Sequence, residues 1–246
     1  KNTVNTMKPK SYRRGYPVAV LIGIEQIHAA LWQVYSQVAK HQQTIQLNGD
    51  RRDQKSLYNF QETIINTIRP TLKEGVRSII IASPPRTSFG ADLQNHITAH
   101  HSWLLQGTNK TTISLIVGSA STPPQVSALT QKEEFKQLIQ ENAQAENENL
   151  LEILEKRLNS ADNLVLFSLQ EAENLILNPQ LPGKPHPEYL LLTDEYLAGS
   201  RQKNRVHRLM QIAQNKKIKT RVINSESNAG HRLTQLSGIV CLAKRE

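Results

Sequence analysis

Thr220-Arg-Val-Ile-Asn-Ser-Glu-Ser-Asn-Ala-Gly-His-Arg-Leu-Thr-Gln-Leu-Ser-Gly-Ile-Val-Cys-Leu-Ala243 packs a strand, a helix, a stop and a second strand into one short stretch. Thr220–Asn224 is strand-like. Ala229, Leu233 and Leu236 fall at helical spacing, Gly238 ends the helix, and Ile239–Ala243 is apolar enough for a buried closing strand. Such a unit needs neighbours to cover its apolar faces, and the preceding residues supply them. Leu164–Phe167 reads as a strand, Leu169–Leu177 as a short helix and Tyr189–Thr193 as another strand. Pro179, Pro182, Gly183, Pro185 and Pro187 make the loop between the last two stiff. Arg205–Asn215 is amphipathic through Val206, Leu209, Met210 and Ala213. Alternating strands and helices predict an α/β/α sandwich over residues 161–246, with helices around a central sheet.

The first half has a different order. Pro17–Gly23, Ile27–Tyr35 and Val38–Leu47 read as three strands with short connections, so antiparallel pairing is expected. After the loop Asn48–Lys55, Leu57, Phe60, Ile64, Ile65 and Ile68 form one helical face, with Pro70 expected beyond its end. Val76–Ala82 is a buried-type strand, Asp92–Leu105 a second helix and Thr112–Gly118 a fifth strand. Antiparallel strands followed by βα units are the order of an RNase H-like α/β layer. Residues 124–158 are helical and rich in Glu, Gln and Asn. They carry apolar stripes at Phe135, Leu138, Ile139 and at Leu150, Ile153, Leu154, Leu158, with the polar run Ala145–Asn149 between. The heptad is not sustained, which disfavours a coiled coil. The expected organisation is a basic arm (1–15), an RNase H-like unit (16–130), a helical connector (131–160) and the α/β/α unit (161–246).

Charge is distributed unevenly. The net charge of +9 divides into +8 over residues 1–127 (14 basic, 6 acidic), −3 over 128–160 (4 basic, 7 acidic) and +4 over 161–246 (12 basic, 8 acidic). A basic leading unit favours a polyanionic partner. No run of eighteen apolar residues exists, so a helical bilayer span is excluded. Lys1–Met7 has no apolar signal core and reads as a trimmed terminus. The single Cys241 excludes an internal disulfide and a zinc ribbon, and fits a reducing compartment; a cytoplasmic protein is expected.

The strand, helix, glycine and strand over residues 220–243 resemble the last segment of the third domain of Pelota and of the archaeal and eukaryotic class-I release factors. The resemblance extends from Tyr16 to Ala243 and covers their middle and C-terminal domains; a first, decoding-site domain lies outside the chain. It implies a translation factor that binds the ribosome through rRNA or tRNA and acts in rescue, recycling or hibernation. It also implies a last domain that docks a translational GTPase and then an ABC-type recycling ATPase. Release factors carry Gly-Gly-Gln on the loop that here reads Asn48-Gly-Asp-Arg-Arg-Asp-Gln-Lys-Ser56. Arg51, Arg52 and Asp53 stand where small residues must let the backbone approach an ester. The Pelota side of the resemblance, which lacks the motif, therefore fits better, and no catalytic residue is expected.

Two basic sets follow as candidate contacts. Lys8, Lys10, Arg13 and Arg14 in the arm, with Arg51, Arg52, Gln54 and Lys55 in the loop, are candidates for RNA phosphates, against a solvated tip whose charges only aid solubility. Arg201, Lys203, Arg205, Arg208, Lys216, Lys217 and Lys219 are candidates for partner docking, against a solvated helix face. Ser168-Leu-Gln-Glu-Ala-Glu173 lacks the Gly-Asn-Glu turn that the resemblance associates with kink-turn RNA binding, which favours protein docking. His96, His100 and His101 have neither cysteine nor a His-Glu-x-x-His pattern beside them, so they read as exposed helix histidines, with no metal or cofactor expected. Gly118–Pro124 lacks a phosphate-loop signature, and the strands lack the clustered carboxylates of a two-metal nuclease. Two rival functions remain: a peptidyl-tRNA hydrolase using Gln54, and a general structured-RNA-binding protein.

Overall fold

The computed structural model describes residues 16–107, 110–161, 164–178 and 181–245. Its elements run β1 (Pro17–Ile24), β2 (His28–Tyr35), β3 (Ala39–Gln46), α1 (Gln54–Lys73), β4 (Ser78–Ser83), α2 (Phe89–His100), β5 (Thr112–Val117), α3 (Pro123–Gln131) and α4 (Glu133–Leu158). They continue through β6 (Val165–Leu166), α5 (Leu169–Leu177), β7 (His186–Thr193), α6 (Asp194–Gly199), α7 (Lys203–Asn215), β8 (Lys219–Ile223), α8 (Asn228–Gln235) and β9 (Ile239–Lys244).

The chain builds the two mixed sheets that its strand order implies. The first has order β3-β2-β1-β4-β5, antiparallel from β3 to β1 and parallel from β1 to β5. Its β1 and β4 are buried on both faces because helices cover both sides. Ile22, Ile24, Ile79 and Ile81 pack under α1 and α2. Leu21, Ile80 and Ala82 pack under α3 and the start of α4. The second sheet has order β6-β9-β7-β8. Leu190, Leu192 and Cys241 face α5 and α7; Leu191, Val240 and Leu242 face α8 and the end of α4. Gly238 closes α8 as expected. At φ 86° it follows Ser237 at φ 91°, and its amide donates to Leu233 O at 2.8 Å.

Several expectations need correcting. Pro70 lies inside α1, in its last turn, where it is exposed and the backbone bond it cannot donate is lost at the solvent side. The helix also starts at Gln54, which shortens the preceding loop. The second helix begins three residues before Asp92, at Phe89, and stops at His100; Ser102–Leu105 is a separate 3-10 turn. α6 was not anticipated, because its six residues are too few to show a period. β7 starts earlier than expected, at His186, and includes Pro187.

The polar run in the connector is partly built into the fold. Glu146 and Asn147 are buried, as is Asn142, whose Nδ2 donates to Ser78 Oγ at 2.8 Å and Ser114 Oγ at 3.1 Å. Asn142 of α4 thus faces the first sheet's edge, and Glu146 faces the second sheet's β8. Phe135 anchors the helix in one core, and Leu150 and Leu154 anchor it in another.

Candidate nucleic-acid interface

The loops that leave β1, β3 and β4 meet at one end of the first sheet, since β1 and β4 run parallel and β3 runs the same way. Arg51 joins them. Its Nε donates to Gln26 O at 3.0 Å and its NH2 to Glu25 O at 2.7 Å, in the β1–β2 turn. The guanidinium lies over the Phe89 ring at 4.1 Å from its centroid, at the start of α2. Burial pulls the Arg51 pKa down, partly offset by Asp92. Two of its donors and its flat face are thus engaged within the fold, which sets Arg51 apart from the exposed cations beside it.

The rest of the loop is held by local capping. Asp53 is the N-cap of α1 and accepts from the Ser56 amide at 3.0 Å and the Ser56 hydroxyl at 2.6 Å. Those two bonds hold its carboxyl below the usual range, with Lys55 adding to the effect. Arg52 N donates to Asp50 Oδ1 at 2.9 Å. Gly49 takes φ 113°, and a Cβ there would stand 2.4 Å from Ser56 Oγ, so the loop's one glycine is required by this turn. Arg52, Gln54 and Lys55 are exposed together at the first turn of α1. Arg52 and Lys55 are two exposed cations flanking the Asp53 carboxylate, which itself caps the helix N–H groups. Gln54 sits on a capped helix, with no second small residue beside it to admit a substrate to the backbone. Arg86, at φ 61° in the adjacent β4–α2 loop, is a further exposed cation that sequence reasoning passed over. Lys8, Lys10, Arg13 and Arg14 lie outside the described residues.

The basic stretch of the second unit divides in the same way. Arg205 donates from Nε to Glu173 Oε1 at 2.7 Å and from NH1 to Gln202 Oε1 at 2.6 Å, and its NH2 bonds Glu173 Oε2. Lys216 Nζ donates to Ile176 O at 2.6 Å, closing the end of α5. Lys219 lies 4.8 Å from the centroid of the Tyr189 ring and 3.7 Å from Glu188. Burial lowers its pKa against the pull of Glu188. These three cations join elements of the sheet and helices. Arg201, Lys203, Arg208 and Lys217 are exposed, with Arg208 bordering a groove between α5 and α7 that also contains Leu177 and Ile212.

Of the three histidines read as exposed, His100 is exposed and the other two are not. His96 and His101 are buried, and both imidazoles reach the Glu62 carboxylate of α1. A residue-by-residue reading could have flagged that His96 and Ile97 share the buried face of α2, but it had no route to Glu62.

No family model matches the chain, and no curated protein is similar to it in sequence. Solved structures do match in fold. A structure of ribosome-bound archaeal Pelota with ABCE1 superposes over 92% of this chain and 61% of that one, at a TM-score of 0.53 and 17% identity. Dom34 of S. cerevisiae, a translation termination-like factor that interacts with Hbs1, matches over 92% of this chain and 63% of its own, at a TM-score of 0.46 and 16% identity. The chain thus spans less than two thirds of the length of these structures. It has a Pelota-like fold.

Proposed function

We propose that the protein is a cytoplasmic, ribosome-binding translation factor that works without ester hydrolysis, in rescue, recycling or holding of idle ribosomes. The observation that supports it most is the architecture shared with ribosome-bound archaeal Pelota and ABCE1. The exposed cations Arg52, Lys55 and Arg86 at one end of a basic first unit fit contact with rRNA or tRNA. The exposed residues Arg201, Lys203, Arg208 and Lys217 fit docking of a protein partner, a translational GTPase or an ABC-type ATPase. The loop speaks against hydrolysis, because its single glycine serves a turn and Gln54 is fixed on a helix.

Co-sedimentation with ribosomes of the parent organism tests the reading. The protein is expected in the ribosomal fractions at moderate salt and free at high salt; its absence from every ribosomal fraction overturns the proposal. A parallel assay on stalled ribosomes should give no released peptide. Release that vanishes on Gln54→Ala would instead make the protein a peptidyl-tRNA hydrolase. Equal affinity for unrelated structured RNAs would make it a general RNA binder.

A further inference from the structure

Glu62, His96 and His101 bring two imidazoles and a carboxylate to one point on the α1–α2 side of the first sheet. His96 Nε2 lies 2.8 Å from Glu62 Oε1, and His101 Nε2 lies 2.7 Å from the same oxygen. Their ligand atoms all fall within 4.8 Å of one another, and this is a grouping of metal-ligating side chains found among the described residues. Both histidines are buried, at 7% and 6% exposure, while the Glu62 side chain is 23% exposed and opens the group to solvent. His100 lies on that open side, its ring centroid 4.8 Å from that of His96.

The backbone is shaped to produce this convergence. Residues five apart on a continuous helix do not share a face. α2 ends at His100, and His101 leaves helical geometry at φ −132° and ψ 36°, which returns its ring to the side of His96. Tyr58 supports the group edge-on, 5.2 Å from the rings of both His96 and His100, and Trp103 packs near His101 at 6.4 Å. Imidazole rings with aromatic walls and a carboxylate at the mouth form a constrained donor set.

The geometry points to a site for a divalent transition-metal ion of the zinc type, with Glu62 Oε1, His96 Nε2 and His101 Nε2 as ligands and an open fourth position. Two nitrogens and one oxygen are the donor set that suits Zn²⁺, Ni²⁺, Co²⁺ and Cu²⁺ rather than Mg²⁺ or Ca²⁺. In the bare protein, the Nε2 protons occupy the space between the three ligand atoms. A metal displaces those protons and separates nitrogen from oxygen to about 3.3 Å, the spacing implied by bonds of about 2.0–2.1 Å in a tetrahedron. Glu62, the partner with a flexible and partly exposed side chain, opens its two contacts by about half an ångström, and the ligand atoms that now lie up to 4.8 Å apart draw in to the same spacing. The fourth position is open to water. Sitting between α1 and α2, such an ion would tie together the two helices that cover this face of the sheet.

The test uses the untagged chain of residues 1–246, stripped with chelator and titrated with ZnCl₂ against a chromophoric competitor, then with CoCl₂ for its visible absorption. One equivalent of Zn²⁺ is expected, with Co²⁺ giving ligand-field bands of a nitrogen–oxygen site. Glu62→Gln, His96→Gln and His101→Gln should each weaken binding by at least about tenfold, in line with the loss of a directly bound ligand. Glu62→Gln keeps shape at the partly exposed position, and its thermal melt and far-ultraviolet spectrum show whether the fold survives. The proposal fails if the wild type takes up no stoichiometric Zn²⁺. It also fails if folded Glu62→Gln and His101→Gln bind as well as wild type, or if binding disappears only with the exposed His41→Gln. Ribosome co-sedimentation is read separately, so loss of metal and loss of ribosome binding are distinguishable.

Discussion

Arg221 of β8 and Glu146 of α4 form a pair that neither end of the chain could supply alone. The Arg221 NH2 donates to Glu146 Oε2 at 2.6 Å and its Nε bonds Oε1, a two-pronged match with both side chains at or below 10% exposure. The remaining NH1 donates to Pro17 O at 2.7 Å, at the first residue of β1. The desolvation of two buried charges is large, so this pair contributes less to net stability than its geometry implies. Removing one partner is a different matter. Arg221→Leu leaves Glu146 buried without a counter-charge and is expected to cost about 3–5 kcal/mol in urea unfolding. Arg221→Leu with Glu146→Leu should recover most of that loss, and a double variant as weak as the single one would contradict this account. None of this was legible in sequence. Glu146 belongs to a polar run in a helical connector, Arg221 to an ordinary strand, and seventy-five positions separate them.

At the scale of elements, the same kind of residue serves opposite purposes, and neighbouring arginines can be told apart by experiment. Arg51 joins three loops, whereas Arg52 and Lys55 are exposed beside it. Arg51→Ala is expected to lower the unfolding free energy measured in urea by about 1–3 kcal/mol, because it removes bonds to two carbonyls and contact with Phe89. Arg52→Ala with Lys55→Ala should leave that free energy within about 0.5 kcal/mol. The double change should weaken ribosome co-sedimentation and flatten its salt dependence; equal effects of both variants on stability would remove the distinction. α8 offers a second check. Gly238→Ala asks an alanine to hold φ 86° with its Cβ 2.9 Å from the Tyr196 ring, and should cost more than about 1 kcal/mol. The glycine stop, the apolar faces of α1 and α8, and the antiparallel-then-parallel strand order were readable because each rests on spacing within a short window. The boundaries of α1 and α2 were not. Asp53 and the turn at His101 fix them through side-chain contacts with Ser56 and Glu62, and those contacts have no signature in periodicity.

At the scale of the molecule, α4 is a structural member of both halves. Phe135 is buried against the first sheet, Leu150 and Leu154 against the second, and the polar middle turns pair with Ser78, Ser114 and Arg221. Tyr16 packs against the core of the second half, and Gly75 takes φ 113° against the backbone of Lys219. A helix that contributes buried residues to two cores couples their unfolding, because fraying it exposes apolar surface in both. The chain has a built-in reporter in each. Trp32 is buried in the first half and donates from Nε1 to Ala120 O at 2.7 Å; Cys241 is buried in the second, where burial pushes its thiol up to about 12. A thiol so raised stays protonated at neutral pH and unreactive in the folded chain. Tryptophan emission, with Trp103 as an exposed background, and reactivity of Cys241 toward a thiol reagent should therefore give coincident urea midpoints. Arg221→Leu should pull the two curves apart, since it breaks the connection among β8, α4 and β1 while leaving both apolar cores in place. Separate midpoints in the wild type would mean that each half unfolds alone and that the polar middle of α4 is a tether without cooperative weight.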